Sequence, residues 1–187
     1  MCGRYKLSRK KQLIEEYFAT ASRDDDWSPR FNVAPTQAVP VIRQNPKEPV
    51  RELLLMRWGL IPSWAKDTSV AVSMINARSE TACTKPAFRD ALKSRRCLIP
   101  TDGFYEWVRT AKPRQPYCFE VNDGELFGFA GLWDQWRDLS GQWVKTCSSH
   151  LDSNRVPNRL DACELAQVRA SDNDLADRAA REHRILI

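Results

Sequence analysis

No aromatic residue follows Trp143: all 18 lie in the first 143 positions, and the last 44 carry none. Aromatic side chains each bury roughly 150–250 Å² and dominate core energetics. The core of this chain is therefore expected mainly from the first three quarters of its length. The apolar residues of the last 44 show no sustained strand pattern, and no helical period before about 175–184. At 187 residues the chain fits one domain, large enough for a core without disulfide staples.

The upstream pattern predicts many strands and few helices. Residues 8–20 read as a helix capped by Ser8, with Leu13, Ile14, Tyr17 and Phe18 on one face. Residues 86–92 read as a short helix with Phe88, Ala91 and Leu92 inward. Strands are expected over 38–43, 50–58, 69–75, 96–100, 103–108, 117–121 and 126–133. Asn122-Asp123-Gly124-Glu125 is a hairpin signal between the last two. The 58–64 segment, rich in Gly and Pro, reads as an aromatic loop. The expected class is α+β: one compact domain whose mainly antiparallel sheet closes into a barrel-like core with a few short helices.

Composition narrows the function. No apolar run reaches the ~18 residues of a membrane helix, and no apolar signal segment opens the chain, so a cytoplasmic location is expected. The six cysteines contain no C-x-x-C pair, and His150 and His183 sit in no metal-ligand spacing. No metal and no cofactor are expected, and both histidines read as solvent-facing. The net charge of +5 arises wholly in residues 1–143, with 22 Lys/Arg against 17 Asp/Glu; the remainder balances 7 against 7. Basic residues cluster at 4–11, 89–96 and 109–114. With seven Trp, they suit single-stranded nucleic acid, whose bases stack on aromatic rings.

Cys2 follows the initiator Met1. Removal of Met1, usual before a small residue, leaves an α-amine and a thiol on adjacent carbons. An α-amine with a pKa of about 7.7–8.0 is partly uncharged at neutral pH, so it can condense with an aldehyde, and the thiol can then close a thiazolidine ring. Glu106 lies between Tyr105 and Trp107 on an expected strand; partial burial there suits a carboxylate to proton transfer. Asn76 and Arg78, two apart, share a side of an extended segment and offer an amide and a phosphate-gripping guanidinium. Trp58 and Trp64 flank a Pro-containing loop and are candidates to wedge against unstacked bases.

The motifs Cys2-Gly3-Arg4-Tyr5, Phe31-Asn32-Val33-Ala34-Pro35-Thr36, Trp58-Gly59-Leu60-Ile61-Pro62-Ser63-Trp64-Ala65, Ile75-Asn76-Ala77-Arg78-Ser79-Glu80-Thr81, Arg96-Cys97-Leu98-Ile99-Pro100, Gly103-Phe104-Tyr105-Glu106-Trp107 and Phe129-Ala130-Gly131-Leu132-Trp133 occur in this order. Together they resemble the SOS-response-associated peptidase (SRAP) family, whose members are also called abasic-site processing proteins. The resemblance covers residues 2 to about 147. It implies an α+β, barrel-like domain with a basic groove for single-stranded DNA and covalent capture of abasic sites. On this resemblance Cys2 is the nucleophile, Asn76 positions the sugar or amine, and Glu106 shuttles protons. Arg4 and Arg78 hold phosphates, while Asn32 and Trp64 line the DNA path. The expected partner is single-stranded DNA carrying abasic sites, bound by a monomer associated with the nucleoid through that DNA. Amide hydrolysis by Cys2 is the alternative activity, and a DNA-binding remnant without chemistry is the other.

The family pattern continues past Cys147 with an apolar strand and a His-Asp-Arg-Met-Pro-like stretch whose histidine assists catalysis. This chain lacks both. Residues 1–147 are therefore expected to form the SRAP-like domain, and 148–187 an aberrant C-terminal segment, shifted in frame or replaced.

Overall fold

The computed structural model describes residues 3–22, 27–107, 115–122, 124–151 and 185–186. Twelve strands, three short α-helices and one 3-10 helix account for the regular elements of these residues. The strands are β1 (Tyr5–Leu7), β2 (Ala21–Ser22), β3 (Arg30–Val33), β4 (Ala38–Gln44), β5 (Arg51–Trp58), β6 (Asn76–Arg78), β7 (Arg96–Thr101), β8 (Gly103–Trp107), β9 (Pro116–Phe119), β10 (Phe127–Arg137), β11 (Trp143–Leu151) and β12 (Ile185–Leu186). The helices are α1 (Lys11–Phe18), α2 (Ser79–Ala82) and α3 (Arg89–Ser94).

Five strands close on themselves in the order β10-β7-β4-β5-β11, with β11 pairing back to β10. All junctions are antiparallel except β5–β11, where Thr146 and Cys147 run parallel to Arg57 and Trp58. The expected α+β barrel is thus formed, with one parallel seam. In β4 five consecutive residues are buried, which no half-exposed sheet would require; a barrel wall covered from outside does. Pro40 lies within β4, and the β4–β7 ladder is reduced to one pair, Ile42 with Leu98, in keeping with a strand short of one N–H donor. A second, open sheet has the order β3-β1-β8-β9. Tyr5, Phe104 and Phe129 join the two, with ring centroids 6.3 Å apart for Tyr5–Phe129 and 5.8 Å for Phe104–Phe129.

Several expectations are corrected. The turn at Asn122 and Gly124 forms, both with positive φ, and the Gly124 and Glu125 N–H groups donate to the Val121 carbonyl. Its flanking strands nevertheless part: β9 pairs with β8, and β10 with β7 and β11. Two long ladders in a closed barrel outweigh one short hairpin. Residues 69–75 form no strand; Ser69–Met74 is a 3-10 helix. Asp67 accepts the Ser69 N–H at 2.8 Å, and Ala71 packs over Gly59, where a Cβ would lie 2.7 Å from the Ala71 carbonyl oxygen. Helix α1 starts at Lys11 with no side-chain cap, because the Ser8 hydroxyl is taken by Asp102. The helix expected over 86–92 falls at Arg89–Ser94. Strand β11 runs from Trp143 to Leu151, with Ser148 and Ser149 buried.

Candidate functional site

The N-terminal strand is delivered to β8. Tyr5 pairs with Phe104 and Lys6 with Gly103, and the Tyr105 N–H donates to the Arg4 carbonyl at 2.9 Å. Continued by one residue, this register sets Gly3 beside Glu106. Cys2, bonded to Gly3, lies outside the described residues, as do His183 and the 109–114 basic cluster. Glu106 is half-buried. Its neighbour Tyr105 donates its hydroxyl to the Phe31 carbonyl at 2.8 Å, tying β8 to β3. Asn32 is exposed on that strand.

Asn76 sits at the barrel end that carries Trp58. Strand β6 adds to β11 in parallel, with Asn76 opposite Ser149, Ala77 opposite the His150 backbone and Arg78 opposite Leu151. The Ser149 N–H donates to the Ile75 carbonyl at 3.0 Å, and its hydroxyl donates to Asn76 Oδ1. Nothing in Thr146-Cys147-Ser148-Ser149 signals such a role; the residue falls inside the segment set apart by sequence. His150, expected to face solvent, has its backbone one pair from Asn76; its side chain lies outside the description.

Trp58 is not a DNA wedge. It is 2% exposed, and its indole N–H donates to the Ile75 carbonyl at 2.9 Å. A Tyr5 ring meets it edge-on at 5.3 Å. A buried indole with its one donor satisfied is in a stable place and offers no face to a base. Its position does link β1 to the residue before Asn76. Trp64 is the exposed one, at 63%. The loop leaving Gly59 is tied down to β11 and β10 by Gly59 N–H to Cys147 O, Ile61 N–H to Thr146 Oγ1, and Trp136 Nε1–H to Ala65 O. Trp136 pairs with Val144, five residues along β11 from Ser149. The β1–β8 register sets the Arg4 backbone opposite Tyr105, one residue from Glu106, and β6 carries Asn76 and the exposed Arg78 on one short strand, while Trp64 lies on the loop after Gly59.

On the outer face of the open sheet, Lys6 reaches across Gly103 to pair with Glu120. A Cβ at Gly103 would lie 2.6 Å from Lys6 Cε, so glycine is what lets the pair cross. The hydrogen bond from Lys6 holds the Glu120 carboxyl below its ordinary range. Burial pushes the Cys97 and Cys147 thiols well up inside the barrel, and partial burial raises that of Cys118. None of these three is a ready thiolate. Among the described residues no group of three His, Cys, Asp or Glu is placed to hold a metal ion, and no helix is long and apolar enough to cross a membrane.

Residues 1–149 match the family model of the SOS response associated peptidase (SRAP). The abasic site processing proteins YoqW and YoaM of Bacillus subtilis (strain 168) are each 40% identical to the chain over 151 residues, 79% of this chain and 66% of theirs. The abasic site processing protein HMCES of Rattus norvegicus is 33% identical over 182 residues, 79% of this chain and 52% of its own. The chain thus spans just under two thirds of the bacterial relatives and about half of the rat one. A crystal structure of a Bacteroides thetaiotaomicron protein superposes with a TM-score of 0.72 at 26% identity, over 80% of this chain and 67% of that one. One from Bordetella bronchiseptica gives 0.68 at 29%, over 83% and 75%. With the family model spanning most of its length and the same barrel in solved relatives, the chain belongs to the SOS response associated peptidase family.

Proposed function

We propose that this chain processes abasic sites in single-stranded DNA by covalent capture at Cys2. With Met1 removed, the Cys2 α-amine attacks the aldehyde of the ring-opened deoxyribose, and water leaves to give an imine. The Cys2 sulfur then adds to the imine carbon, the nitrogen takes up a proton, and a thiazolidine closes. Glu106 gives and takes the protons of these steps; a positioned acid or base typically contributes about 10²–10⁴-fold. Asn76 orients the sugar or amine, Arg4 and Arg78 hold the flanking phosphates, and Asn32 and Trp64 line the strand's path.

The observation that carries the reading is the β1–β8 register, in which the Arg4 carbonyl accepts from Tyr105 and the chain heads toward Glu106. The names of the relatives agree with it. We also propose that the shared domain extends through β11 and that residues beyond it stand in place of the family's histidine stretch, leaving Glu106 as the acid–base group.

A denaturing gel tests this. Protein with Met1 removed is incubated with single-stranded DNA carrying one abasic site. A heat-stable shifted band is expected, absent in Cys2→Ala and slowed at least ~10²-fold in Glu106→Gln. A band that persists in Cys2→Ala, or none from folded wild type, rejects the reading. Cleavage of amides in trans that needs Cys2 would transfer the site to peptide hydrolysis.

A further inference from the structure

We infer that Asp102 is a positioning residue for Cys2: it pins the register of β1 on β8, and so fixes where the N-terminal amine and thiol stand relative to Glu106. The inference rests on the capture reading above. Strand β1 is three residues long. Its ladder to β8 has two pairs, and its ladder to β3 is irregular between Tyr5 and Leu7. So short a ladder supplies few backbone bonds to fix its register; the buried Tyr5 and Leu7 keep the same face inward and oppose a one-residue slip, which leaves a slip of two to be prevented by something further. A slip of two residues keeps alternate side chains on the same face yet moves the N-terminus by about 7 Å. Reaction needs the attacking atom within roughly 3–3.5 Å, and a 1 Å misplacement can cost about 10²-fold.

Asp102 supplies what the ladder lacks. It lies between β7 and β8 and is completely buried. Its Oδ2 accepts the Ser8 N–H at 2.8 Å and the Ser8 hydroxyl at 2.5 Å, and Arg9 Nε stands 3.8 Å from it. Its own N–H donates to the Lys6 carbonyl at 3.2 Å, which also accepts from Thr101 Oγ1 at 2.8 Å. Lys6 to Ser8 are thereby gripped from one point, just past the end where β1 leaves the sheet. The other oxygen, Oδ1, is buried and has no hydrogen-bond partner among the described residues. Leaving a buried carboxylate oxygen unpaired is costly. Stability alone is a poor reason for a carboxylate here; two charge-assisted bonds that fix one register are a better one.

The test compares Asp102→Ala, Asp102→Asn and Ser8→Ala with wild type. Three quantities are read: the cross-linking rate constant on abasic single-stranded DNA, affinity for the same DNA with a tetrahydrofuran that has no aldehyde, and hydrogen-exchange protection of the Tyr105 amide. Asp102→Ala is expected to slow cross-linking about 10–100-fold, with tetrahydrofuran-DNA affinity within about twofold, and to lower Tyr105 protection at least about tenfold. Asp102→Asn keeps an acceptor for Ser8 and restores most of the rate. Ser8→Ala, which removes one of the two bonds, falls between and serves if Asp102→Ala does not fold. Wild-type rate and protection in Ser8→Ala, or equal slowing in the Asn and Ala variants, overturns the inference. If wild type forms no cross-link while Tyr105 protection still depends on Asp102, the register pin stands and the capture reading fails.

Discussion

The barrel and the open sheet are built from the same kinds of strands and solve opposite problems. In the barrel each of the five strands is paired on both sides, and Val39, Val41, Leu98 and Ile99 are almost wholly buried. Closure removes strand edges and supplies a rigid body. The open sheet leaves β3 and β9 as edges and exposes Phe31 at 66% and Tyr117 at 53%. It buries less and presents more, and it carries Arg4, Asn32 and Glu106. Asn76 and Arg78 hang from the barrel through β6. The proposed site therefore lies where a closed barrel meets a presenting surface, and the contact of Tyr5 with Trp58 is one stitch between them.

The comparison breaks most visibly at that stitch. Trp58→Ala removes a buried indole and its bond to Ile75, and is expected to cost about 3–5 kcal/mol in urea unfolding. Phe31→Ala, on the exposed edge, is expected to fall within about 0.5 kcal/mol. Similar costs for the two would mean that the sheet edge is part of the stabilising core. Next in size is DNA affinity. On the proposed reading Trp64→Ala weakens binding to single-stranded DNA by about 1–3 kcal/mol and leaves the unfolding midpoint alone. Trp143 is the control: it is exposed to 60%, with the Arg137 guanidinium 5.9 Å from its ring, and belongs to no proposed DNA path. Equal losses from Trp143→Ala and Trp64→Ala would show general stacking on any exposed indole.

A smaller effect probes how the barrel orients the amide it carries. Ser149→Ala deletes the hydroxyl that donates to Asn76, a net change of about 1 kcal/mol, and the expected outcome is a cross-linking rate about five- to tenfold lower. A Ser149→Ala,Asn76→Ala double variant should be no slower than Asn76→Ala alone, because the two act through one amide. Additive losses would give Ser149 a separate role.

What could be read from the chain divides along the same line. The long strands β4, β5, β7 and β10 were legible because runs of apolar residues mark them locally. Their partners were not. The Asn122–Gly124 turn is correct as a turn and silent about which sheet each flank joins, and Ser69–Met74 mimics strand alternation while a nearby aspartate and a glycine bend it into a 3-10 helix. The proposed site shows the same limit. Glu106, Asn76 and Arg78 stand in motifs whose order carries information. Trp58 stands in one too, yet only burial reveals that it packs rather than stacks. Ser149 and Asp102 act on residues 73 and 94 positions away, and no local pattern announces a pairing at that separation. Strand pairing is a property of the folded context more than of the strand.

The smallest effect separates the two devices that fasten β1. Besides Asp102, β1 is held by Lys6 to Glu120. Burial acts to lower the Lys6 pKa, but the Glu120 hydrogen bond, with Asp102 adding, more than offsets it and leaves the ammonium above its ordinary value. Glu120 is displaced downward, chiefly by the same hydrogen bond. A carboxyl with a depressed folded pKa contributes stability that is fully present above its unfolded value, about 4.3, and disappears as pH falls through the folded value. Lys6 contributes the mirror case: its share is present below about 10.4 and is lost as pH rises through the raised folded value. The Glu120 side chain is 35% exposed, so screening keeps the pair within the ~0–1 kcal/mol of a surface salt bridge. Glu120→Gln is accordingly expected to flatten the acid limb slightly in urea midpoints at pH 3, 5 and 7, and less so in 1 M salt. The Tyr105 amide should keep its protection in that variant, since Ser8 and Asp102 still hold the strand. Loss of protection with Glu120→Gln would make the exposed ion pair the register pin, and the presenting sheet would then owe its alignment to its solvent face instead of its buried hinge with the barrel.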